Sequence, residues 1–133
     1  MFSGQPDCMP LGQDPGALMS RSYELPSGPR VRLRLARRSD LPGFRDLLRR
    51  RNVPAGELEL ERLIRYHPRE RAVIAATAPI GGTEAIVGVG AIDLTEDAEP
   101  ETLVVDARVA DGLGRLLAEA LVQRARIHAR RIA

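Results

Sequence analysis

Residues 102–121 read Thr-Leu-Val-Val-Asp-Ala-Arg-Val-Ala-Asp-Gly-Leu-Gly-Arg-Leu-Leu-Ala-Glu-Ala-Leu. The first part, residues 102–109, is rich in valine and leucine, which predicts a β-strand. A short turn with Gly112, Leu113 and Gly114 follows, and the apolar residues after it recur every three or four positions, which predicts an amphipathic helix. A glycine-rich turn between a strand and the start of a helix favours binding of an anionic group, because the first N–H groups of the helix have no partner within it.

The composition indicates a single small domain with an aliphatic core. The chain has 133 residues, of which 44% are hydrophobic and only 3% aromatic. All 20 basic residues are arginine and 18 residues are acidic, so the net charge of +2 is a weak basis for binding nucleic acid. Cys8 is the single cysteine, so the sequence predicts neither an internal disulfide nor a metal site. No apolar run reaches the ~18 residues of a membrane span and no signal peptide is recognisable, so we expect a cytoplasmic protein without membrane contact.

The other elements are predicted from chain breakers and apolar periodicity. Residues 1–29 hold half of the ten prolines and lack a periodic pattern, so we expect a flexible tail before a domain of residues 30–133. Residues 31–35 alternate between apolar residues and arginine, which predicts a strand with one buried face. Further helices are predicted over residues 40–51 and 57–67, and further strands over residues 72–76 and 85–92.

The predicted element order is β-α-α-β-β-β-α, which is an α+β arrangement over a mostly antiparallel sheet. With its motifs, this order resembles the first half of the GNAT acyltransferase fold. Residues 30–40 resemble the first strand and the helix entry of that family, residues 87–91 its third strand, and residues 104–114 its fourth strand and phosphate-binding loop. The resemblance covers residues 30–133 and implies a GNAT-like domain that is truncated after the third helix.

The resemblance implies that the turn holds the pyrophosphate of acetyl-CoA. In the family this turn has the pattern Gln/Arg-x-x-Gly-x-Gly/Ala and joins the fourth strand to the third helix. The residues that the resemblance assigns to acetyl-CoA binding are Val104, Val109, Gly112, Leu113, Gly114 and Arg115.

Two departures from the family pattern predict weak binding of acetyl-CoA. Val109 occupies the position of the family's glutamine or arginine, and Asp111 brings a negative charge next to Gly112. Asp111 is also a favourable residue to cap the following helix, and a capping carboxylate competes with a phosphate for the same N–H groups. The later elements of the family fold, among them a fifth strand that helps to enclose the pantetheine arm, have no counterpart in this sequence.

Acyl transfer to an amine needs a group that removes a proton from the amine. Asp106 is the best candidate for this catalytic base, because a carboxylate is unusual within an apolar strand unless it has a specific role. The side chain can also simply point outward on the exposed face of the strand. The acidic residues between Asp93 and Glu101 are interpreted as a solvated loop. Tyr66 and His67 close the second predicted helix near the family's acceptor site, and they are interpreted first as a partly buried helix end.

The sequence thus predicts an acyl-CoA-dependent N-acyltransferase, or a degenerate descendant of one, that acts on a small-molecule or peptide amine. The alternative is a non-catalytic, dimeric binding or structural protein with the same fold. A homodimer is expected because the strand at 102–109 would lie at an edge of the sheet, and exposed edges pair with other chains. Nucleic acid is not expected as a partner, since aromatic residues for base stacking are lacking.

Overall fold

A computed structural model of the chain describes residues 22–25, 30–95, 97–109 and 112–132. Two short 3-10 turns, Arg38–Asp40 and Ala107–Val109, accompany the main elements. The strands and helices are β1 (Ser22–Glu24), β2 (Arg30–Leu35), α1 (Leu41–Arg50), α2 (Glu57–Arg62), β3 (Arg71–Ile80), β4 (Thr83–Asp93), β5 (Glu101–Val105) and α3 (Leu113–Ile132). No helix in these described ranges is both long enough and apolar enough to cross a membrane.

The strands form one antiparallel sheet in the order β1-β2-β3-β4-β5, which confirms the predicted α+β class. Helices α1 and α2 cover one face, where Phe44, Leu47 and Leu60 are buried against strands β3 and β4. Helix α3 covers the other face with the buried side chains of Leu113 and Leu117. The sheet therefore lies between two helical layers, and each layer has its own aliphatic cluster.

Strand β2 shows how the sequence pattern divides the two faces. Val31 and Leu33 are fully buried on the α3 face, whereas Arg30 and Arg32 are exposed on the other face. This is the alternation expected of a strand with successive side chains on opposite sides of the sheet. The arginines of β2 therefore line the face of the sheet on which α1 and α2 pack.

The structure differs from the predicted tail at residues 22–25. Ser22–Glu24 form strand β1, which pairs with Arg30–Arg32 of β2, and Leu25 is buried. Three residues are too short for a periodic sequence signal, and pairing with β2 decides their conformation. Residues 1–21 and 26–29 of the predicted tail lie outside the described residues.

Strand β5 ends earlier than predicted. The sequence predicts a strand over residues 102–109, but β5 stops at Val105 and a 3-10 turn over Ala107–Val109 leads toward α3. The reason is Asp106, whose carboxylate accepts the backbone N–H of Arg108 at 2.9 Å and so bends the chain into a turn. The predicted helix after the turn is confirmed as α3, which begins at Leu113.

Candidate functional site

The N-terminal end of α3 is held close to the sheet by a glycine of β4. A Cβ atom on Gly88 would lie 3.0 Å from Cδ1 of Leu117 and 3.2 Å from Cδ2 of Leu113. These two leucines are fully buried in the first two turns of α3. The absence of a side chain at Gly88 therefore fixes where α3 begins relative to β4 and β5.

The turn before α3 needs a glycine and leaves the start of the helix open. Gly112 has φ +83°, in the left-handed region that side-chain-bearing residues rarely adopt, and it is exposed. The N–H of Leu116 donates to the carbonyl of Gly112 at 3.1 Å, so the helical hydrogen-bond ladder starts there. The N–H groups of the three residues between them have no acceptor within the helix. A Cβ on Gly114 would meet no described atom within 4 Å outside its chain neighbours and the helix backbone, and Arg115 is exposed.

Strand β5 is irregular in the middle. Val89 of β4 pairs with Val104, but Ala91 pairs with Glu101, so β5 carries one extra residue there. Thr102, which lies in this bulge, has φ +52°. Bulges are over-represented next to active sites because they interrupt the ladder of backbone hydrogen bonds and redirect side chains.

A cavity of about 470 Å³ lies beside the bulge, between β5 and the connection from α1 to α2. Its walls are largely apolar and include Leu48, Val53 and Val104. Four charged residues also line it: Glu59, Arg62, Arg71 and Glu101. The volume suits a small molecule, and mixed charge around apolar walls is typical of a small-ligand site.

Arg71 ties three strands together at this cavity. Its Nη1 donates to Asp93 at the end of β4 and to Glu101 at the start of β5. Its Nε is buried and has no hydrogen-bond partner among the described residues. No local sequence pattern marks Arg71, because its two partners are 22 and 30 residues away.

Asp106 is buried in the junction between β5 and α3, with only 3% of its surface exposed. Its carboxylate accepts hydrogen bonds from the Arg108 side chain at 2.8 and 3.1 Å and from Nη2 of Arg50 at 3.0 Å. The hydrogen bond from Arg108 is the main reason that the pKa of Asp106 lies well below its usual range. A carboxylate with such low proton affinity is a poor base, so these contacts favour a structural role, and the predicted role as catalytic base stays a prediction.

Comparison with known proteins supports the fold. No protein-family model and no curated protein matches the sequence. Among solved structures, the crystal structure of the GNAT domain of S. lividans PAT is similar, with a TM-score of 0.65. The two share 20% sequence identity over 82% of this chain and 73% of that one. The chain has a GNAT-like fold. The predicted resemblance is thereby confirmed at the level of architecture.

Four of the residues that were assigned to acetyl-CoA binding lie together in this GNAT-like domain: Gly112, Leu113, Gly114 and Arg115. Val109 differs from them, because its side chain is buried in the core on the α3 face. Only its backbone is therefore free to contribute to a ligand site. Val104 is half-buried on the opposite face of β5, where it lines the 470 Å³ cavity. Asp111, the predicted cap of α3, lies outside the described residues.

Tyr66 has a structural contact in the GNAT-like domain. Its hydroxyl donates to the carbonyl of Ala36 at 2.8 Å, which links the chain after α2 to the end of β2. Burial raises the pKa of the Tyr66 phenol, so it stays protonated at neutral pH. His67 is exposed, and its Nδ1 accepts the backbone N–H of Arg69 at 3.2 Å. Neither residue lines the cavity beside β5.

Proposed function

We propose that the protein is an acyl-CoA-dependent N-acyltransferase that transfers an acetyl group from acetyl-CoA to an amine. The observation that carries this proposal is the open start of α3, with its Gly112 turn, next to the bulged strand β5 in a GNAT-like fold. An open helix N-terminus favours a phosphate group, because it combines unpaired N–H donors with the positive end of the helix dipole.

The residues present fit acetyl-CoA at the level of the backbone. The N–H groups of Leu113, Gly114 and Arg115 would hold the pyrophosphate, and the exposed Arg115 guanidinium adds a positive charge beside it. When bound, acetyl-CoA supplies a thioester whose acyl carbon is open to attack by an amine. The buried Val109 offers no side-chain donor, so we expect binding that is weak, with a dissociation constant well above the micromolar range.

The cavity beside β5 is the proposed place for the acceptor. Its walls are largely apolar and include Val53 and Val104. Glu59 lines the cavity and forms no ion pair with another described residue, whereas Glu101 is bound by Arg71. Glu59 is therefore the carboxylate that we assign to orient the cationic amine and to accept its proton, because only the neutral amine is a nucleophile.

Acetyl-CoA should raise the melting temperature of the wild-type protein, since a ligand that binds only the folded state stabilises it. At a concentration about tenfold above the dissociation constant the gain is about 1.4 kcal/mol. Gly112→Val should abolish this shift, because a branched side chain at φ +83° strains the turn that presents the N–H groups. Differential scanning fluorimetry with acetyl-CoA, supported by calorimetry, measures both.

Gly81→Val is the matched control for this experiment. Gly81 also has a positive φ, +58°, but it lies in the turn between β3 and β4, so this variant carries a similar backbone strain and should retain the acetyl-CoA shift. Absence of binding to the wild type at millimolar acetyl-CoA would overturn the proposed function. Equal shifts for the wild type and a folded Gly112→Val variant would show that the ligand binds elsewhere.

A second candidate function is a non-catalytic dimer that pairs through β5. Strand β5 has β4 as its one neighbour among the described strands, so its outer edge presents unpaired backbone groups. Leu103 lies on this edge with 42% of its surface exposed. An exposed edge strand with an apolar side chain favours pairing with a second copy of the chain.

If β5 pairs between copies, light scattering at tens of micromolar protein should give the mass of a dimer. Leu103→Lys should weaken the dimer at least tenfold, because a charged side chain on an edge opposes strand pairing. Ser22→Lys is the control, since Ser22 is exposed on β1, which forms the opposite edge of the sheet. A monomeric wild-type mass would remove this candidate, and equal weakening by the two variants would place the interface elsewhere.

A further inference from the structure

Strand β2 places a row of arginines on the face of the sheet opposite α3. Arg30, Arg32 and Arg34 alternate with residues that are buried or half-buried on the α3 face, and Arg37 follows just after the strand. These four arginines line a cavity of about 610 Å³, which we call the arginine cleft. Its volume lies within the range of small-molecule sites.

Most of the positive charge in the arginine cleft is not neutralised. Arg34 donates to both carboxylate oxygens of Asp40 at 2.7 Å and is thereby balanced. Arg30, Arg32 and Arg37 are exposed and form no ion pair with another described residue. Glu84 is the one carboxylate among the described residues that line the cleft.

The residues that lie beside Arg32 in the sheet carry no charge. Its neighbours across the strands are Ser22 on β1 and Thr77 on β3. Arg30, in contrast, lies opposite Glu24, although the two form no ion pair. Arg30 and Arg32 stand about 6.6 Å apart along one face of β2, so their like charges repel unless an anion lies between them.

The arginine cleft is separate from the start of α3. Strands β3 and β4 lie between β2 and β5, which places the two strands about 14 Å apart in the sheet. The cleft also opens on the face of α1 and α2, whereas α3 packs on the other face. A ligand in the cleft therefore does not use the N–H groups at the beginning of α3.

We propose that the arginine cleft binds a small molecule that carries two or more phosphate groups. Guanidinium groups recognise phosphate with paired hydrogen bonds, and successive arginines on one strand face can engage successive phosphates. None of the described residues that line the cleft is aromatic, so the cleft recognises the phosphates and not an attached base. This proposal is independent of the acyltransferase proposal.

Isothermal titration of the full chain with inorganic triphosphate at low ionic strength tests the proposal. Arg32→Gln should weaken binding roughly tenfold, because it removes a charged donor from the cleft. Glu84→Gln should strengthen binding severalfold, because it removes the opposing negative charge. Arg65→Gln removes an equal charge from the exposed chain after α2 and should leave the affinity unchanged.

Two further measurements distinguish this site from the start of α3. Triphosphate should bind Gly112→Val as it binds the wild type, and adenosine triphosphate should bind with about the same affinity as triphosphate. Equal loss of affinity in Arg32→Gln and Arg65→Gln would overturn the proposal, since binding would then reflect overall charge. Loss of triphosphate binding in a folded Gly112→Val variant, or binding of the nucleotide without the inorganic ion, would overturn it as well.

Discussion

Replacing Arg34 with alanine should lower the free energy of unfolding by about 3 kcal/mol. Asp40 is 4% exposed, and Arg34 holds its carboxylate through two hydrogen bonds of 2.7 Å. Removing one partner of a buried ion pair leaves the other charge without compensation, which costs several kcal/mol. The backbone N–H of Arg37 remains as a donor to Asp40 at 2.8 Å. The loss of stability is therefore smaller than for a buried carboxylate that has no hydrogen-bond donor.

Urea denaturation of the purified variants at neutral pH measures this effect. Arg38→Ala is the control, because Arg38 is an exposed arginine on the 3-10 turn that contains Asp40, and we expect a change within about 0.5 kcal/mol. Arg34→Lys should fall between the two, since an ammonium group cannot make the paired contacts of a guanidinium. Similar unfolding free energies for Arg34→Ala and Arg38→Ala would contradict the importance of the ion pair.

At Asp40 the sequence correctly predicts where a helix starts, but it does not predict what the Asp40 side chain binds. The sequence predicts a helix from residue 40, because Ser39 or Asp40 can cap a helix and Pro42 suits its first turn, and α1 does begin at Leu41. Asp40 does not cap α1 with its side chain. Its carboxylate instead closes the turn before the helix and binds the β2 arginine. The local pattern therefore predicts the boundary, and the tertiary partner decides what the side chain does.

Elements with strong periodicity were predictable, and elements that depend on distant partners were not. The alternation in β2 and the apolar spacing of α3 appear directly in the sequence, because each repeats over several residues. Strand β1 has three residues and owes its conformation to β2. The early end of β5 is a different case, because Asp106 turns the chain through its near neighbour Arg108, and the apolar residues around Asp106 hide this local signal.

The candidate site follows the same division. Gly112 marks the turn before α3, because glycine is the residue that tolerates its positive φ. The bulge at Thr102 and the cavity beside it arise from the pairing of β4 with β5 and from the position of the α1–α2 connection. No local sequence pattern encodes such a meeting of distant segments, so the acceptor pocket emerges only from the assembled sheet.

Asp106→Ala should lower the free energy of unfolding by about 2 kcal/mol at neutral pH and flatten its dependence on acid. Hydrogen bonds to charged groups are worth about 1.5–3 kcal/mol, and the side chains of Arg50 and Arg108 are about half exposed, so water replaces part of the loss. The folded-state pKa of Asp106 lies below its unfolded value of about 3.9. Its contribution is therefore present above about pH 4 and is lost as the pH falls through the folded pKa.

Urea titrations of the wild type and Asp106→Ala from neutral pH to the lowest pH at which the wild type stays folded test this prediction. The difference between the two should shrink on acidification, while the contribution of Asp40, whose pKa is also lowered, remains in both. Asp46→Ala is the control, because the side chain of Asp46 is 62% exposed and its Oδ1 lies 4.0 Å from Nη1 of Arg49. A difference that is constant with pH would show that the Asp106 carboxylate contributes packing and not charge. Asp106 links the end of β5 to the turn before α3, so the same variant should also weaken acetyl-CoA binding. A weaker affinity would show that the proposed function depends on this junction.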